Sequence, residues 1–163
     1  MIAARIATER LELAPLEIAD AAELAVVLAD PALHAFIGGR PLTEPELRAR
    51  YVRLVAGSPD PGERWLNWTV RRTADGQAVG TVQATVRART ASVAWVIGSA
   101  WQGHGLATEA ARGLVGWLLA QGFEEVVANV HPDHHASAAV AGHAGLAPTD
   151  EIVDGERVWR LRA

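Results

Sequence analysis

Three alternating stretches crowd the middle of this chain, and their spacing constrains its fold more than any other feature. Leu66, Trp68 and Val70 alternate with polar residues, and residues 79–86 and 92–97 supply two more strand-like runs. Period-two patterning marks strands with one buried face. Ala74-Asp75-Gly76, between the first two runs, is hairpin-turn chemistry. Strands joined this tightly run antiparallel, so the centre reads as a meander.

On both sides the period changes. Arg10 to Leu13 alternates and Pro15 closes it, while Ala21, Leu24, Val27 and Leu28 recur at helical spacing, with Glu17 and Asp20 expected in the first turn. Asp30-Pro31 should end that helix. After Gly38-Gly39, Thr43-Glu44-Pro45-Glu46 forms a capping box and launches a helix whose apolar face is Leu47, Tyr51, Leu54 and Val55. Beyond the meander, Leu106, Ala110, Leu114, Val115 and Leu118 define a third helix stopped at Gly122. Residues 126–130 read as a strand broken by Pro132, residues 136–143 as a short helix, and residues 158–161 as a last strand. The expected order is β-α-α-β-β-β-α-β-α-β. With one strand–helix–strand crossover after the meander, it predicts an α+β fold: a mixed, mostly antiparallel sheet flanked by helices. No repeat or linker interrupts residues 1–163, which read as one domain.

Composition removes several chemistries. The 163 residues include no cysteine, so thiolate nucleophiles, thiolate metal sites and disulfides are absent. Every basic side chain is arginine, which excludes a Schiff-base lysine and a Walker-type phosphate loop. A net charge of −4 disfavours a nucleic-acid partner. Charged residues break the N-terminus where a signal peptide needs an apolar run, and no stretch is long enough to span a membrane. A soluble, cytoplasmic protein is expected.

The chemistry concentrates in Ala94 to Ala110, AWVIGSAWQGHGLATEA. A strand, a glycine-bearing loop and a helix N-terminus in succession present unpaired backbone N–H groups and the positive end of a helix dipole, a natural anion site. Gln102-Gly103-His104-Gly105-Leu106-Ala107 fits Q/R-x-x-G-x-G/A and, in this setting, resembles the acetyl-CoA pyrophosphate loop of the GNAT superfamily of N-acetyltransferases. Thr8-Glu9-Arg10-Leu11 with Asp20-Ala21, Ala107-Thr108-Glu109-Ala110, and His131-Pro132-Asp133-His134-His135-Ala136-Ser137 ending at Gly145-Leu146 are similar to the ribosomal-protein-alanine N-acetyltransferase branch.

That resemblance implies a GNAT fold, acetyl-CoA as cosubstrate and a primary amine as acceptor, attacked directly in a ternary complex. It assigns the donor to Gln102, Gly103, His104, Gly105, Leu106 and Ala107, with Thr108 as a further hydroxyl contact. It also implies that the preceding strand end, Trp95-Val96-Ile97, bonds the pantetheine through its backbone and is splayed from the next strand. His134 stands where the branch carries a cofactor-contacting asparagine, and Ser137 where it carries a serine near the departing thiolate. A homodimer is common in that superfamily.

Acetyl transfer to an amine needs the amine neutral. Deprotonation at pH 7 costs about 4–5 kcal/mol for a lysine-like amine but only about 1 kcal/mol for an α-amine. Residues 92–97 contain no acid, so a strand-borne glutamate base is missing, which favours an α-amine. His131 and, across the cleft, Glu109 are the base candidates, acting directly or through water. The sole tyrosine, Tyr51, reads as a core residue of its helix. The acceptor site is expected from two segments. One is His34 to Arg40, with Phe36 apolar. The other is the acidic loop Asp150 to Glu156, where Glu151 and Asp154 would attract a cationic amine around a hairpin turn at Asp154-Gly155. Peptide N-terminus, amino acid, polyamine and aminoglycoside all stay open as acceptors. Two other readings are a non-catalytic acyl-CoA-binding module and a hydrolase using a metal on His131, Asp133, His134 and His135.

Overall fold

The computed structural model describes residues 1–163. A short strand β1 (Ile6–Ala7) turns into β2 (Leu11–Pro15); α1 (Ala21–Val27) and α2 (Glu44–Ala56) follow, then β3 (Glu63–Arg72), β4 (Ala78–Arg87) and β5 (Thr90–Ile97). Helix α3 (Leu106–Ala120), β6 (Glu125–Val130), α4 (His135–His143), β7 (Ala147–Val153) and β8 (Glu156–Arg162) complete the chain. The 8 strands form one sheet in the order β1-β2-β3-β4-β5-β6-β8-β7. Only β5 and β6 pair in parallel, joined by the α3 crossover. No helix is long and apolar enough to cross a membrane.

Two corrections to the sequence reading stand out. Residues 147–153, whose acidic part was expected as loop, form an edge strand, and Ile6–Ala7 adds a second unforeseen one. Strand β7 is exposed along nearly its whole length and lacks apolar alternation. It is a strand because the turn at Asp154-Gly155, with φ of 50° and 80°, folds it back onto β8. The turn itself falls where expected.

Helix α2 starts from the anticipated capping box: the Thr43 hydroxyl accepts from the Glu46 N–H, and the Glu46 carboxylate from the Thr43 N–H. Its buried face is Leu47 and Tyr51, whereas Val55 is exposed. Glu17 and Asp20 form a capping box around a 3₁₀ turn (Ile18–Asp20) that precedes α1.

Two cores hold the layers. The larger joins Leu11, Leu13, Trp68, Val70, Val82 and Val93 of the sheet to Leu106, Ala110, Leu114, Val115 and Leu118 of α3 and to Val140 of α4. The smaller packs Leu16, Ala21, Leu24, Leu47, Tyr51 and Ala78 beneath α1 and α2 on the opposite face. The consequence for function is a sheet covered by helices on both sides, with β5 and β6 in its centre.

Candidate functional site

Strand β5 ends in a 3₁₀ turn (Ser99–Trp101), and Gln102 to Gly105 then lead into α3. Gly103 and Gly105 lie at φ of 81° and 76°, left-handed values that side-chain-bearing residues rarely adopt. The loop therefore curls with its amides outward. No N–H from Gly103 through Thr108 donates to a backbone acceptor. These donors converge at the positive end of a 15-residue helix. A Cβ built on Gly103 would meet nothing within 4 Å, so that surface is open.

The loop is clamped from the opposite end of the chain. Arg10 donates from Nη1 to the His104 carbonyl at 3.0 Å and from Nε to Glu109 at 2.7 Å. Glu109 also accepts from the Arg10 N–H at 2.8 Å and from the Thr8 hydroxyl. Burial opposes ionisation of Glu109, but the Thr8 hydroxyl and the Arg10 amide and guanidinium outweigh it and hold the carboxyl below its ordinary value. A second tie is the Gln102 side chain, which donates to the Ile97 carbonyl at 3.0 Å and fastens the loop to the end of β5.

Beside the loop the sheet opens. The parallel ladder between β5 and β6 comprises Thr90–Glu125, Ala91–Val126 and Ser92–Val127, and then stops. Beyond it, Val93 to Ile97 on one side and Ala128 to Val130 on the other line a cleft of about 570 Å³. Ladder alternation decides which backbone groups face it. The Gly98 N–H donates to the Val79 carbonyl, and Val96 is opposite Thr81. Residues 96 and 94 therefore spend their backbone groups on β4, whereas the amides of Trp95 and Ile97 point into the opening. The Ile97 side chain is buried in the core, and Trp95 packs half-buried against it.

The far wall carries His131, His134 and Ser137. Ser137 donates from its backbone N–H to His134 Nδ1 at 3.3 Å, and its hydroxyl lies 3.1 Å from His134 Nε2. With Nδ1 accepting, the neutral ring carries its proton on Nε2 and donates to the Ser137 oxygen, which leaves the serine O–H free to point elsewhere. Burial, then the neighbouring His131 and His135, lower the His134 pKa and favour this neutral form. The Asp133 N–H likewise donates to His131 Nδ1 at 3.0 Å, so neutral His131 presents an N–H rather than a lone pair from Nε2. Phe36, from the α1–α2 connection, stacks on His134 at 4.5 Å and tilts against His131 at 5.2 Å. That connection thereby reaches across the mouth of the cleft.

Most residues singled out from the sequence meet here. Phe36, Trp95, Val96, Ile97, Gln102, Gly103, Gly105, Leu106, Ala107, Thr108, His131, His134 and Ser137 all line the cleft. His104 does not; its carbonyl is taken by Arg10. Glu109 also lies outside, its carboxylate committed to Thr8 and Arg10, which corrects its place as a base candidate. Glu151 and Asp154 lie outside as well: Glu151 pairs with Arg160 at 3.0 Å on the edge hairpin, and Asp154 is a turn residue. Sequence reasoning missed the part played by Arg10. Its signal was present, since Thr8-Glu9-Arg10-Leu11 was one of the matching motifs, but nothing local says that an arginine at position 10 meets a glutamate at 109.

A free N–H run at a helix start, beside a sheet that splits after three paired residues, is what a phosphate-bearing thioester requires of a fold. The family model described as an acetyltransferase (GNAT) domain matches residues 10–147. The chain belongs to the GNAT acetyltransferase family. No curated protein sequence matches it. Among solved structures, a GNAT-family acetyltransferase from Bacillus anthracis superposes with a TM-score of 0.80 at 17% identity, covering 98% of each chain. The ribosomal α-N-protein acetyltransferase RimL, in complex with coenzyme A, gives 0.77 at 14% identity over 98% of each chain. A ribosomal-protein alanine acetyltransferase from Vibrio fischeri gives 0.74 at 17% identity, over 98% of this chain and 96% of that one. At these identities the likeness is one of fold, and this GNAT domain has its eight-stranded sheet and four helices in common with them.

Proposed function

We propose that this acetyltransferase moves the acetyl group of acetyl-CoA to a primary amine by direct attack in a ternary complex. The observation that carries the reading is the run of free amides from Gly103 to Thr108 next to the gap between β5 and β6. The amides suit a pyrophosphate, which accepts hydrogen bonds and carries negative charge where the helix dipole is positive. The gap suits an extended pantetheine arm, which would pair with the open edge of β5 at Trp95 and Ile97. RimL binds coenzyme A on the same fold, which supports this placement.

The roles of the side chains follow from their hydrogen bonds. A donor directed at the thioester oxygen stabilises the negative charge that grows there as the amine attacks; an edge amide of β5 is placed for that. Ser137, with its O–H free, protonates or orients the departing sulfur. His134 holds Ser137 through both ring nitrogens and takes over the position where the related branch has asparagine. Among the side chains lining the cleft only Glu156, at the start of β8, is a carboxylate, and it belongs to no ion pair. Glu109 is a weakened base outside the cleft, and His131 offers a donor. The amine proton therefore passes to Glu156 or to water, and deprotonation at pH 7 costs about 1 kcal/mol for an α-amine and several times more for a lysine-like one. An α-amine acceptor is the better fit.

The test is calorimetry with acetyl-CoA, accompanied by CoA-thiol release when an amine is supplied. Wild-type protein should bind acetyl-CoA and gain melting temperature with it. Gly103→Asp, which sets a carboxylate in the open face of the loop, should abolish binding, while Gly103→Ala should keep part of it. Equal dissociation constants for all three would take the loop out of the reading.

A further inference from the structure

The sheet face beneath α1 and α2 is divided. At one end its polar side chains are spoken for: the Thr69 hydroxyl donates to Asp20 at 2.7 Å, and Arg71 bridges Asp20 and Glu23 at 2.9 and 2.8 Å. Further along the same face, Asn67 of β3 is paired with Gln83 of β4, and Thr81 with Val96 of β5. All of these project to one side of the pleat. The side chains of Asn67, Thr81 and Gln83 line a second cavity, of about 500 Å³, roofed by apolar residues of the helices such as Leu28, Leu47 and Leu54. This cavity and the cleft share Leu33, Ile37 and Val96, so the two adjoin at the end of β5 where the thioester would sit.

The charges around this cavity are one-sided. No aspartate or glutamate lines it. Of its two arginines, Arg40 is neutralised by both oxygens of Glu46, at 2.8 and 2.7 Å. Arg50, one residue before the buried Tyr51 on α2, lines the cavity and belongs to none of the molecule's 14 ion pairs, Arg162–Glu125 being the last of them along the chain. Burial pushes Tyr51 up to about 12, so its hydroxyl stays neutral across the physiological range.

We infer that this cavity receives the acceptor and selects an amine with an apolar body and a carboxylate, an apolar amino acid or short peptide with a free C-terminus, Arg50 binding the carboxylate. The inference rests on the transfer reading above and narrows it. An apolar body gains by leaving water against the leucines. A carboxylate gains a guanidinium that matches its geometry and has no other partner. Polyamines and aminoglycosides carry several ammonium groups; those not reacting would be desolvated with no carboxylate to meet them and a like charge nearby, an arrangement that rejects them.

The experiment is steady-state CoA-thiol release with leucine, phenylalanine and leucyl-leucine, the carboxamides of all three, spermidine and kanamycin. Wild type is compared with Arg50→Gln and with Arg53→Gln, a control on the same helix but outside the cavity lining. The carboxylates should show a KM about tenfold below their amides, and spermidine and kanamycin should be poor substrates. Arg50→Gln should erase the difference between acid and amide without moving the KM for acetyl-CoA, and Arg53→Gln should preserve it. Equal use of acids and amides by wild type, or a preference for the polycations, would overturn the inference while leaving acetyl transfer intact. If acetyl-CoA binds but no amine releases thiol, the transfer reading fails instead. Calorimetry with leucyl-leucine against its amide then decides the cavity, equal affinity overturning it and tighter binding of the acid supporting it.

Discussion

At position 134 a histidine does what a carboxamide could also do, but with a proton attached to the outcome. His134 caps α4 by accepting the Ser137 N–H on Nδ1, an interaction available only while that nitrogen is unprotonated. Its pKa in the folded protein lies below the ordinary 6.5, owing first to burial and then to His131 and His135. The sign of the linkage follows. Between 6.5 and that lower value the unfolded chain takes up a proton that the folded chain declines, so stability rises with pH there. The contribution is complete above about pH 6.5 and fades as the pH falls through the folded value. Wild type should therefore lose melting temperature between about pH 7 and pH 5.5, and His134→Asn, which caps without titrating, should lose less. Parallel melting curves for the two proteins over this window would detach the cap from the protonation of His134. Tyr51 shows how a residue reading can be correct and incomplete: it is buried in its helix's core as its position implies, yet it also lines the second cavity.

Among elements, the informative contact is between the β1–β2 turn and the start of α3. Glu109 occupies the first turn of its helix, as a dipole argument would place it, but its partners come from residues 8 and 10. Those contacts fix the register of the loop against the sheet. Arg10→Gln removes the bond to the His104 carbonyl and the ion pair to Glu109 together, leaving the loop amides in place but less well aimed. Its KM for acetyl-CoA should rise several-fold, with the amine KM little changed. A variant whose constants match wild type would show that Gln102, through Ile97, suffices to hold the loop. The splay of β5 from β6 is likewise a relation between elements. The sequence of β5 shows an ordinary strand; that its outer edge lacks a partner from Val93 onward depends on where α3 returns the chain.

For the whole molecule, the distribution of charge revises the acceptor reading. Four carboxylates within Asp150 to Glu156 suggested a lure for a cationic amine. In the folded protein all four sit on the edge hairpin of the sheet; Asp150, Glu151 and Asp154 lie outside both cavities, and only Glu156 lines the cleft. Glu151 is exposed and paired with Arg160, and exposed charges of this kind are screened within a Debye length of about 8 Å at physiological salt. Glu151→Gln combined with Asp154→Asn should accordingly leave the KM for amine and for acetyl-CoA within about twofold of wild type. A several-fold rise in the amine constant alone, reversed by neither ligand nor salt, would return the hairpin to the acceptor site.

What the sequence determined by itself is the set of features whose physics is local. Alternation in β3, β4 and β5, the capping box at Thr43 to Glu46, the face of α3 and the glycine-bearing loop before it are each set by neighbours within a few residues. The central strands and all four helices consequently fall where the pattern places them. Strand β7 escaped because it has no buried face to pattern; its pairing with β8 makes it a strand. Tertiary structure alone decided the pairs and spaces separated along the chain: Arg10 with Glu109, Phe36 with His134, and the cavity floored by Asn67, Thr81 and Gln83. In an alternating strand, a polar side chain facing water and one facing a ligand cavity are written alike. Only the helices packed above, and the gap they leave, distinguish the two.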